Sequence, residues 1–322
     1  MMVKINRYLL LLISPLLLLA CSQQADYASD PAQAEQHQSL KDVEYLSSDA
    51  LGGRETGTQG NRMAREYIEN RFDSLGLKMF GASYRQPFSQ AVSTGEADTD
   101  TVTAINLVGY VEGSVNSERF IVITAHYDHL KTRQESIYNG ADDNASGTAG
   151  LMAAAAYFTE NSPENSIIFI GFDAEEKGLA GARYFTENPL VPLDQVVINI
   201  NMDMISTNFE NELYAVGTYH YPFLKPFIEE YTNDAPVNVL FGYDSDEWDQ
   251  NWTLASDHGP FHQKDVPFIY FGVEDHEHYH APSDTYENIN PEFYLGAVET
   301  IIGVIEGLDR DLNEIAEQSG RF

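Results

Sequence analysis

The sequence predicts an α/β protein with a mostly parallel central β-sheet that is flanked by helices on both faces. Two observations predict this fold. Some segments, such as 166–172 and 196–204, are apolar along nearly their whole length, which is typical of strands that are buried on both faces. Segments with the apolar spacing of helices alternate with them, as in sheets built from β-α-β units. In such sheets, ligands bind beyond the carboxyl ends of the strands.

The predicted helices are identified by the spacing of their apolar residues. In residues 60–75 the apolar side chains fall on one face of a helix, and Gly76 is a typical residue to end it. A helix rich in small residues is predicted over 146–159. The other predicted helices cover 39–50, 179–187, 222–231 and 291–317.

The predicted strands are concentrations of apolar and β-branched residues. In chain order they cover 104–112, 119–125, 166–172, 196–204 and 267–271. A glycine-rich loop over 51–57 separates the first two helices. Residues 40–316 contain neither an internal repeat nor a linker rich in Pro, Gly or Ser. We therefore predict that residues 38–322 form a single domain.

The amino-terminal residues have the pattern of an export signal. Two basic residues precede an apolar run over 9–19, which is shorter than the roughly 20 residues of a transmembrane helix. The run leads to Cys21, the only cysteine, in a sequence that resembles a bacterial lipobox. We expect a lipoprotein signal peptide over 1–20, a flexible tether over 21–37 and a lipid anchor on Cys21. An ordinary cleaved signal with an incidental cysteine is the alternative.

With that anchor, the protein would be a lipoprotein of the cell envelope, on the periplasmic side of the outer membrane or secreted. The formal net charge of −32 bears on its other partners. A strongly acidic surface repels nucleic acid and anionic lipid, so neither is expected to bind. Solubility explains most of these acids. A few of them lie in segments where solubility is not a sufficient explanation.

Five short segments contain polar residues that the surrounding sequence does not explain. They cover 124–129, 139–147, 172–178, 201–204 and 279–285. Singly, each has an ordinary interpretation; Asp142 and Asp143 before a helix, for example, suit an N-cap. Asp203 is harder to explain in this way, because it interrupts an apolar strand and a buried carboxylate needs a partner.

Together, these segments supply histidines and carboxylates at successive strand ends, without a thiolate. This donor set suits zinc, with cobalt or manganese as substitutes. The donors are also too numerous for one structural ion with four ligands. The sequence therefore predicts a site for two metal ions.

The order of the segments resembles the co-catalytic di-zinc exopeptidases. The pattern is His-x-Asp, Asp-Asp-Asn-Ala-Ser-Gly, Glu-Glu-x-Gly, a buried Asp and His-x-Pro-x-Asp-Thr. This family includes secreted bacterial leucyl aminopeptidases, and glutamate carboxypeptidase and glutaminyl cyclase are relatives. The resemblance spans about residues 40–310, includes the segments 51–57 and 256–258, and implies a phosphorylase/hydrolase-like fold.

The resemblance implies a role for each matching residue. The metal ligands would be His126, Asp143, Glu176, Asp203 and His280. Asp143 would bridge two zinc ions, of which His126 and Asp203 would complete one and the remaining two ligands the other. Glu175 would be the general base, and Tyr279 would stabilise the tetrahedral intermediate. Two further residues would support the site, namely Asp128, which would orient His126, and Ser256.

The activity that this resemblance implies is hydrolysis of peptides next to a free amino terminus, by a monomeric aminopeptidase with a metal-bridging water. Three alternatives remain. One is a glutaminyl cyclase with one zinc, although those enzymes lack the full Asp-Asp-Asn-Ala-Ser-Gly pattern. Another is a carboxypeptidase, which usually carries a lid domain for which residues 80–118 are too few. The last is a binding module that has lost its activity, although such relatives lack ligands or the base.

Overall fold

The computed structural model describes residues 31–93 and 99–321. Its strands are β1 (Arg85–Ser93), β2 (Thr99–Val111), β3 (Asn116–His126), β4 (Asn165–Phe172), β5 (Val196–Met202), β6 (Glu212–Val216), β7 (Asn238–Leu240) and β8 (Phe268–Gly272). Its α-helices are α1 (Pro31–Leu46), α2 (Gln59–Leu75), α3 (Gly147–Glu160), α4 (Ala180–Glu187), α5 (Leu224–Tyr231), α6 (His258–His262), α7 (Pro291–Arg310) and α8 (Leu312–Ser319).

The strands form one eight-stranded sheet in the order β1-β2-β4-β3-β5-β8-β6-β7. The four central strands, β4, β3, β5 and β8, are parallel to one another. Strands β1 and β2 extend one side with antiparallel pairings, and β6 joins β8 antiparallel on the other side. The predicted α/β fold with a central sheet is confirmed.

The central strands are apolar on both faces because helices cover both faces of the sheet. In β4, Ile167 and Phe169 pack into the larger core cluster with residues of α2, α3 and α7. Ile168 and Ile170 point the opposite way and pack with residues of α4 and α6. All residues of β4 and β5 are buried, as expected for strands between two layers.

The helix boundaries differ from the sequence predictions in two places. Helix α1 begins at Pro31 and ends at Leu46, so its start lies inside the segment predicted as a tether, and only a 3-10 turn follows at Asp49–Leu51. The predicted closing helix over 291–317 is two helices, because the chain leaves helical geometry at Asp311. The side chain of Asp311 there accepts a hydrogen bond from the Tyr231 hydroxyl.

The amino-terminal predictions fall largely outside the structure. The signal peptide over 1–20 and Cys21 lie outside the described residues. Within 31–93 and 99–321, we find no helix with the length and apolar character needed to cross a bilayer.

Candidate metal centre

The predicted site residues meet at the carboxyl edge of the central strands. His126 ends β3 and lies opposite Phe172, the last residue of β4. Strand β5 runs parallel to β3 and ends at Met202, next to Asp203. Because parallel neighbours end at one edge of the sheet, the residues that follow them come together. They line a cavity of about 440 Å³.

Two more segments close this cavity. Asp143 lies in the turn Ala141–Ser146, directly before α3, at a kink where its backbone angles are not helical. Tyr279 and His280 belong to the loop between β8 and α7 and also line the cavity. The structure therefore brings all five predicted ligands, Glu175 and Tyr279 to one place.

The first donor cluster surrounds the Nε2 atom of His126. This atom lies 3.4 Å from Oδ1 of Asp143 and 3.3 Å from Oδ1 of Asp203. Oε2 of Glu175 is farther away, at 4.0 Å. Of the donors, His126, Asp143 and Asp203 are buried and Glu175 is partly buried, so the cluster lies at the bottom of the cavity.

The second donor cluster uses the other carboxylate oxygen of Asp143. Its Oδ2 lies 3.0 Å from Nε2 of His280, and that nitrogen is 3.4 Å from Oε1 of Glu176. His129, which has no role in the sequence prediction, also reaches this cluster. Its Nδ1 atom lies 3.0 Å from Oε1 of Glu176 and 3.6 Å from Oδ2 of Asp143.

The spacing of these donors fits metal ions. Zinc bonds of about 2.0–2.1 Å in tetrahedral geometry separate ligand atoms by about 3.3 Å. The donor pairs that involve the proposed ligands and His129 lie close to this value, between 3.0 and 3.6 Å. Oε1 of Glu176 and both ring nitrogens of His129 are buried without a hydrogen-bond partner among the described residues. Buried polar atoms need a partner, and a cation bound among these donors would supply it.

The adjacent residues Glu175 and Glu176 have opposite pKa shifts. Burial raises the pKa of Glu175 well above its usual range, the Asp257 and Asp203 carboxylates raise it further, and His126 opposes the shift. Burial also acts on Glu176, but its contacts with His129 and His280 outweigh burial and hold the pKa of Glu176 well below its usual range. Glu175 is therefore suited to accept a proton, and Glu176 to remain ionised.

Asp128 supports the site in two ways. Its backbone carbonyl oxygen lies 3.1 Å from Nδ1 of His126. Since a carbonyl oxygen only accepts, Nδ1 carries a proton, and Nε2 is the ring nitrogen that faces Asp143 and Asp203. The Asp128 carboxylate instead accepts from the backbone N–H groups of Glu175 and Glu176, at 3.0 and 3.3 Å. The predicted orientation of His126 thus acts through the Asp128 backbone, while the carboxylate fixes the turn with both glutamates.

Ser256 and Tyr279 occupy different positions. The Ser256 hydroxyl lies behind the site and accepts from the Asn201 amide, whose oxygen accepts from Thr124.

Tyr279 lines the cavity itself, and its ring stacks on His280 with centroids 4.0 Å apart. Burial, with the carboxylates of the site, raises the pKa of Tyr279 strongly. Its hydroxyl therefore stays protonated and can donate a hydrogen bond.

Two further residues hold the ligand segments in place, and the sequence analysis gave neither a role. The Asp284 carboxylate accepts from the backbone N–H groups of Asp142 and Asp143, at 2.8 and 3.1 Å, which joins the His280 loop to the Asp143 turn. Arg54 is buried and donates to four backbone carbonyl oxygens, those of Leu46, Tyr127, Asn139 and Gly140. Both residues occur in segments already singled out, but a motif alone does not specify such contacts.

Asp142 and Asp257 are buried carboxylates that belong to neither donor cluster. Asp142 accepts from the backbone N–H and the hydroxyl of Ser206 and pairs with His276 at 2.8 Å, so it is engaged away from the two donor clusters. Asp257 is fully buried, and neither of its carboxylate oxygens has a hydrogen-bond partner among the described residues. Burial raises the pKa of Asp257 to about 7.

Comparison with known proteins identifies the family. The sequence model of peptidase family M28 matches residues 106–305, which is more than half of the chain. The chain belongs to peptidase family M28. The M28 match includes every predicted metal ligand, Glu175 and Tyr279. It confirms the resemblance to the zinc exopeptidases.

The curated relatives of this M28 chain include named peptidases. Aminopeptidase YwaD of Bacillus subtilis (strain 168) is 30% identical over 200 residues, which are 59% of this chain and 41% of YwaD. A probable zinc metalloprotease of Pyrenophora teres f. teres is 28% identical over 169 residues, which are 52% of this chain and 35% of that protein. The chain thus spans about two fifths or less of the length of these relatives.

Solved structures share the fold. The aminopeptidase from Aneurinibacillus sp. strain AM-1 superposes with a TM-score of 0.66 at 15% identity, covering 84% of this chain and 93% of that one. The glutaminyl cyclase of Porphyromonas gingivalis gives a TM-score of 0.63 at 18% identity, covering 84% and 97%. Because a peptidase and a cyclase both match, the fold by itself does not distinguish these activities.

Proposed function

We propose that this M28 chain is a two-zinc aminopeptidase that acts as a monomer on peptides with a free amino terminus. One observation carries the proposal: the two oxygens of Asp143 belong to two separate donor clusters. A carboxylate shared in this way can hold two cations side by side. His126 and Asp203 would complete one ion, and Glu176 and His280 the other.

The residues around the clusters suit amide hydrolysis. When bound, a zinc pair supplies a Lewis acid for the peptide carbonyl and a water of lowered pKa. Burial raises the pKa of Glu175, which suits a carboxylate that takes up a proton, and it would pass this proton to the departing nitrogen. Tyr279 would donate its hydroxyl hydrogen to the charge that develops on the carbonyl oxygen.

The charge of the cavity favours an aminopeptidase over a carboxypeptidase. Among the described residues, those that line the cavity include Asp275 and Glu175 but neither lysine nor arginine. Recognition of a peptide α-carboxylate ordinarily uses such cationic side chains. Asp275 is a carboxylate of the cavity outside both donor clusters, and it suits an α-ammonium group instead. The free amino terminus is therefore the end of the peptide that this site would accept.

The proposal is tested with the purified chain, by measuring zinc content and hydrolysis of aminoacyl-p-nitroanilides. We expect two zinc ions per chain and hydrolysis that is lost when the substrate amino group is acetylated. Equal rates on free and acetylated substrates would contradict the proposed recognition of the amino terminus. A single zinc together with cyclisation of amino-terminal glutamine would favour the cyclase activity instead. Light scattering on the same preparation tests the monomeric state.

We also propose that the chain is exported and anchored by acylation of Cys21. The support is the sequence alone, namely the apolar run over 9–19 and the placement of the single cysteine directly after it. Expression in a bacterial host should place the protein in the detergent-soluble membrane fraction, and the Cys21→Ser variant in the aqueous fraction. If both chains partition into the aqueous fraction, the lipid anchor is wrong.

A further inference from the structure

His129 is a buried histidine beside the donor clusters that the ligand set of the proposed function leaves unused. It follows Asp128 directly after β3 and is fully buried. Neither ring nitrogen has a hydrogen-bond partner among the described residues. A neutral imidazole has one donor and one acceptor nitrogen, and leaving both unpaired in the interior is unfavourable.

The Nδ1 atom of His129 completes a set of four donor atoms. It lies 3.0 Å from Oε1 of Glu176 and 3.6 Å from Oδ2 of Asp143. Nε2 of His280 lies 3.4 Å and 3.0 Å from the same two oxygens. Four ligands around a tetrahedral zinc ion are separated by about 3.3 Å. These distances are therefore those expected along the edges of a four-ligand site.

The contact with Glu176 does not have the geometry of a hydrogen bond. Although Nδ1 of His129 is 3.0 Å from Oε1 of Glu176, both atoms remain without a hydrogen-bond partner. When two atoms are ligands of one ion, the ion sets the distance between them and no hydrogen bond is needed. This favours shared coordination over a direct imidazole–carboxylate bond.

The ring of His129 is held in this position by close packing. A Cβ atom at Gly140 would lie 2.6 Å from the Cγ and Cδ2 atoms of His129. Gly140 also has a φ angle of 57°, which favours glycine. The backbone before Asp143 therefore passes directly against the imidazole ring, so the ring cannot turn freely away from the cluster.

We propose that His129 is a fourth protein ligand, through Nδ1, of the ion held by Asp143, Glu176 and His280. This inference rests on the proposed function and deepens it. The two ions would be unequal, because the other one has only His126 and two carboxylates in its cluster. Closed four-ligand sites are typical of tightly held zinc, whereas three protein ligands leave a position for water or substrate. The ion near His126 would thus be the one that exchanges more readily.

The test compares His129→Phe and His129→Ala with His278→Phe as a matched control. Phenylalanine retains a ring against Gly140 but has no donor nitrogen, and alanine checks that overpacking does not cause the effect. His278 lies in the His280 loop, with its Nδ1 at 3.0 Å from the Ser283 hydroxyl. Circular dichroism confirms that each variant is folded.

Zinc affinity is measured by competition with a chromogenic chelator, and the coordination of Co²⁺ by its visible absorption. We expect both His129 variants to bind one ion at least tenfold more weakly, with a changed Co²⁺ spectrum, while His278→Phe matches the natural chain. Natural affinities and an unchanged spectrum in the His129 variants would overturn the inference. Weaker binding with an unchanged spectrum would also overturn it, because His129 would then only support Glu176.

The same measurement separates the inference from the proposed function. If the natural chain binds a single ion, the two-zinc proposal fails. The assignment of His129 then stands when both His129 variants bind that ion more weakly and change its Co²⁺ spectrum, and it fails when either change is missing.

Discussion

At the scale of single residues, the site depends on two neighbouring carboxylates in different surroundings. Glu176 lies against His129 and His280, which lower its pKa. Glu175 is nearly as buried, but it faces the carboxylates of Asp257 and Asp203, and its pKa is raised. The same side chain can therefore be a ligand at one position and a base at the next.

Replacing Glu175 by glutamine tests this division of roles. The amide keeps the shape of the side chain but cannot accept a proton, so we expect kcat to fall by about 10²–10⁴-fold, with zinc content unchanged. Glu277→Gln, the same change at an exposed position of the His280 loop, is the control and should retain activity. Steady-state kinetics measures kcat, and atomic absorption measures the zinc content. A fully active Glu175→Gln chain with normal zinc would refute the role of Glu175 as the base.

His258 gives a prediction about acid stability. It is fully buried, stacks on Tyr270 and contacts the Trp252 carbonyl oxygen through Nε2 at 2.8 Å. Burial lowers the pKa of His258 to about 4, from 6.5. Below pH 6.5 the unfolded chain binds a proton that the folded chain does not, so stability falls as the pH falls toward 4. The loss attributable to His258 is about 3 kcal/mol.

His258→Phe keeps the stacking and removes the titration. Urea unfolding between pH 7.5 and 4 should show a smaller loss of stability on acidification in this variant than in the natural chain. The comparison uses the slope with pH, because the lost contact with Trp252 lowers stability at every pH. Parallel pH profiles for the two chains would contradict the prediction.

At the scale of elements, Arg54 joins segments that are distant in sequence. Its guanidinium donates to carbonyl oxygens at the end of α1, after β3 and before the Asp143 turn. Burial lowers the pKa of Arg54 to about 10, although the nearby carboxylates oppose the shift. The arginine therefore remains charged at neutral pH and binds the loops that carry the ligands.

Arg54→Met should destabilise the chain by about 3–5 kcal/mol, because the carbonyl groups stay buried without their donor. Arg62→Met is the matched control, since Arg62 is exposed on α2 and should change stability by less than about 0.5 kcal/mol. Chemical denaturation measures both. A loss in Arg54→Met no larger than in the control would show that these hydrogen bonds do not hold the loops together.

The central elements were predictable from the sequence, and the peripheral ones were not. Strands β4 and β5 are buried throughout, so their apolar runs stand out. Strand β1 is an edge strand whose sequence is mostly polar, contains a proline and does not alternate regularly, and β7 has three residues. Neither has a pattern that differs from a loop. The break at Asp311 was missed because apolar spacing continues on both sides of it.

The site also has residues that could be predicted from the sequence and residues that could not. The order of motifs indicated the five residues that the structure brings together, because their chemistry is visible in the sequence. His129 lies in a segment that the motifs singled out, but three residues after the end of β3 a side chain can point to either side. Only the packing against Gly140 directs it to Glu176. The side chains of Arg54 and Asp284 contact backbone groups of other segments. Contacts of this kind leave no such signal in the sequence.

At the scale of the whole molecule, bound metal should stabilise the fold. The ligands come from the carboxyl ends of three strands, from the turn before α3 and from the loop before α7, so an ion links distant parts of the chain. A ligand at 100 times its Kd stabilises the folded state by about 2.7 kcal/mol. In a domain of this size, that raises Tm by roughly 4–5 °C.

Chelation should accordingly lower Tm in the natural chain, and added zinc should restore it. Asp143→Ala is the control, because it removes the shared ligand and should make Tm insensitive to the chelator. Differential scanning calorimetry measures these temperatures. An equal effect of the chelator on both chains would show that the stabilising metal binds elsewhere.

The central claim is that the Asp143 carboxylate lies between two zinc ions. A crystal structure of the zinc-loaded chain, with anomalous data collected at the zinc edge, tests it most directly. We expect two anomalous peaks, one beside each Asp143 oxygen, with His126 and Asp203 at the first and Glu176 and His280 at the second. A single peak, or peaks that do not contact Asp143, would contradict it.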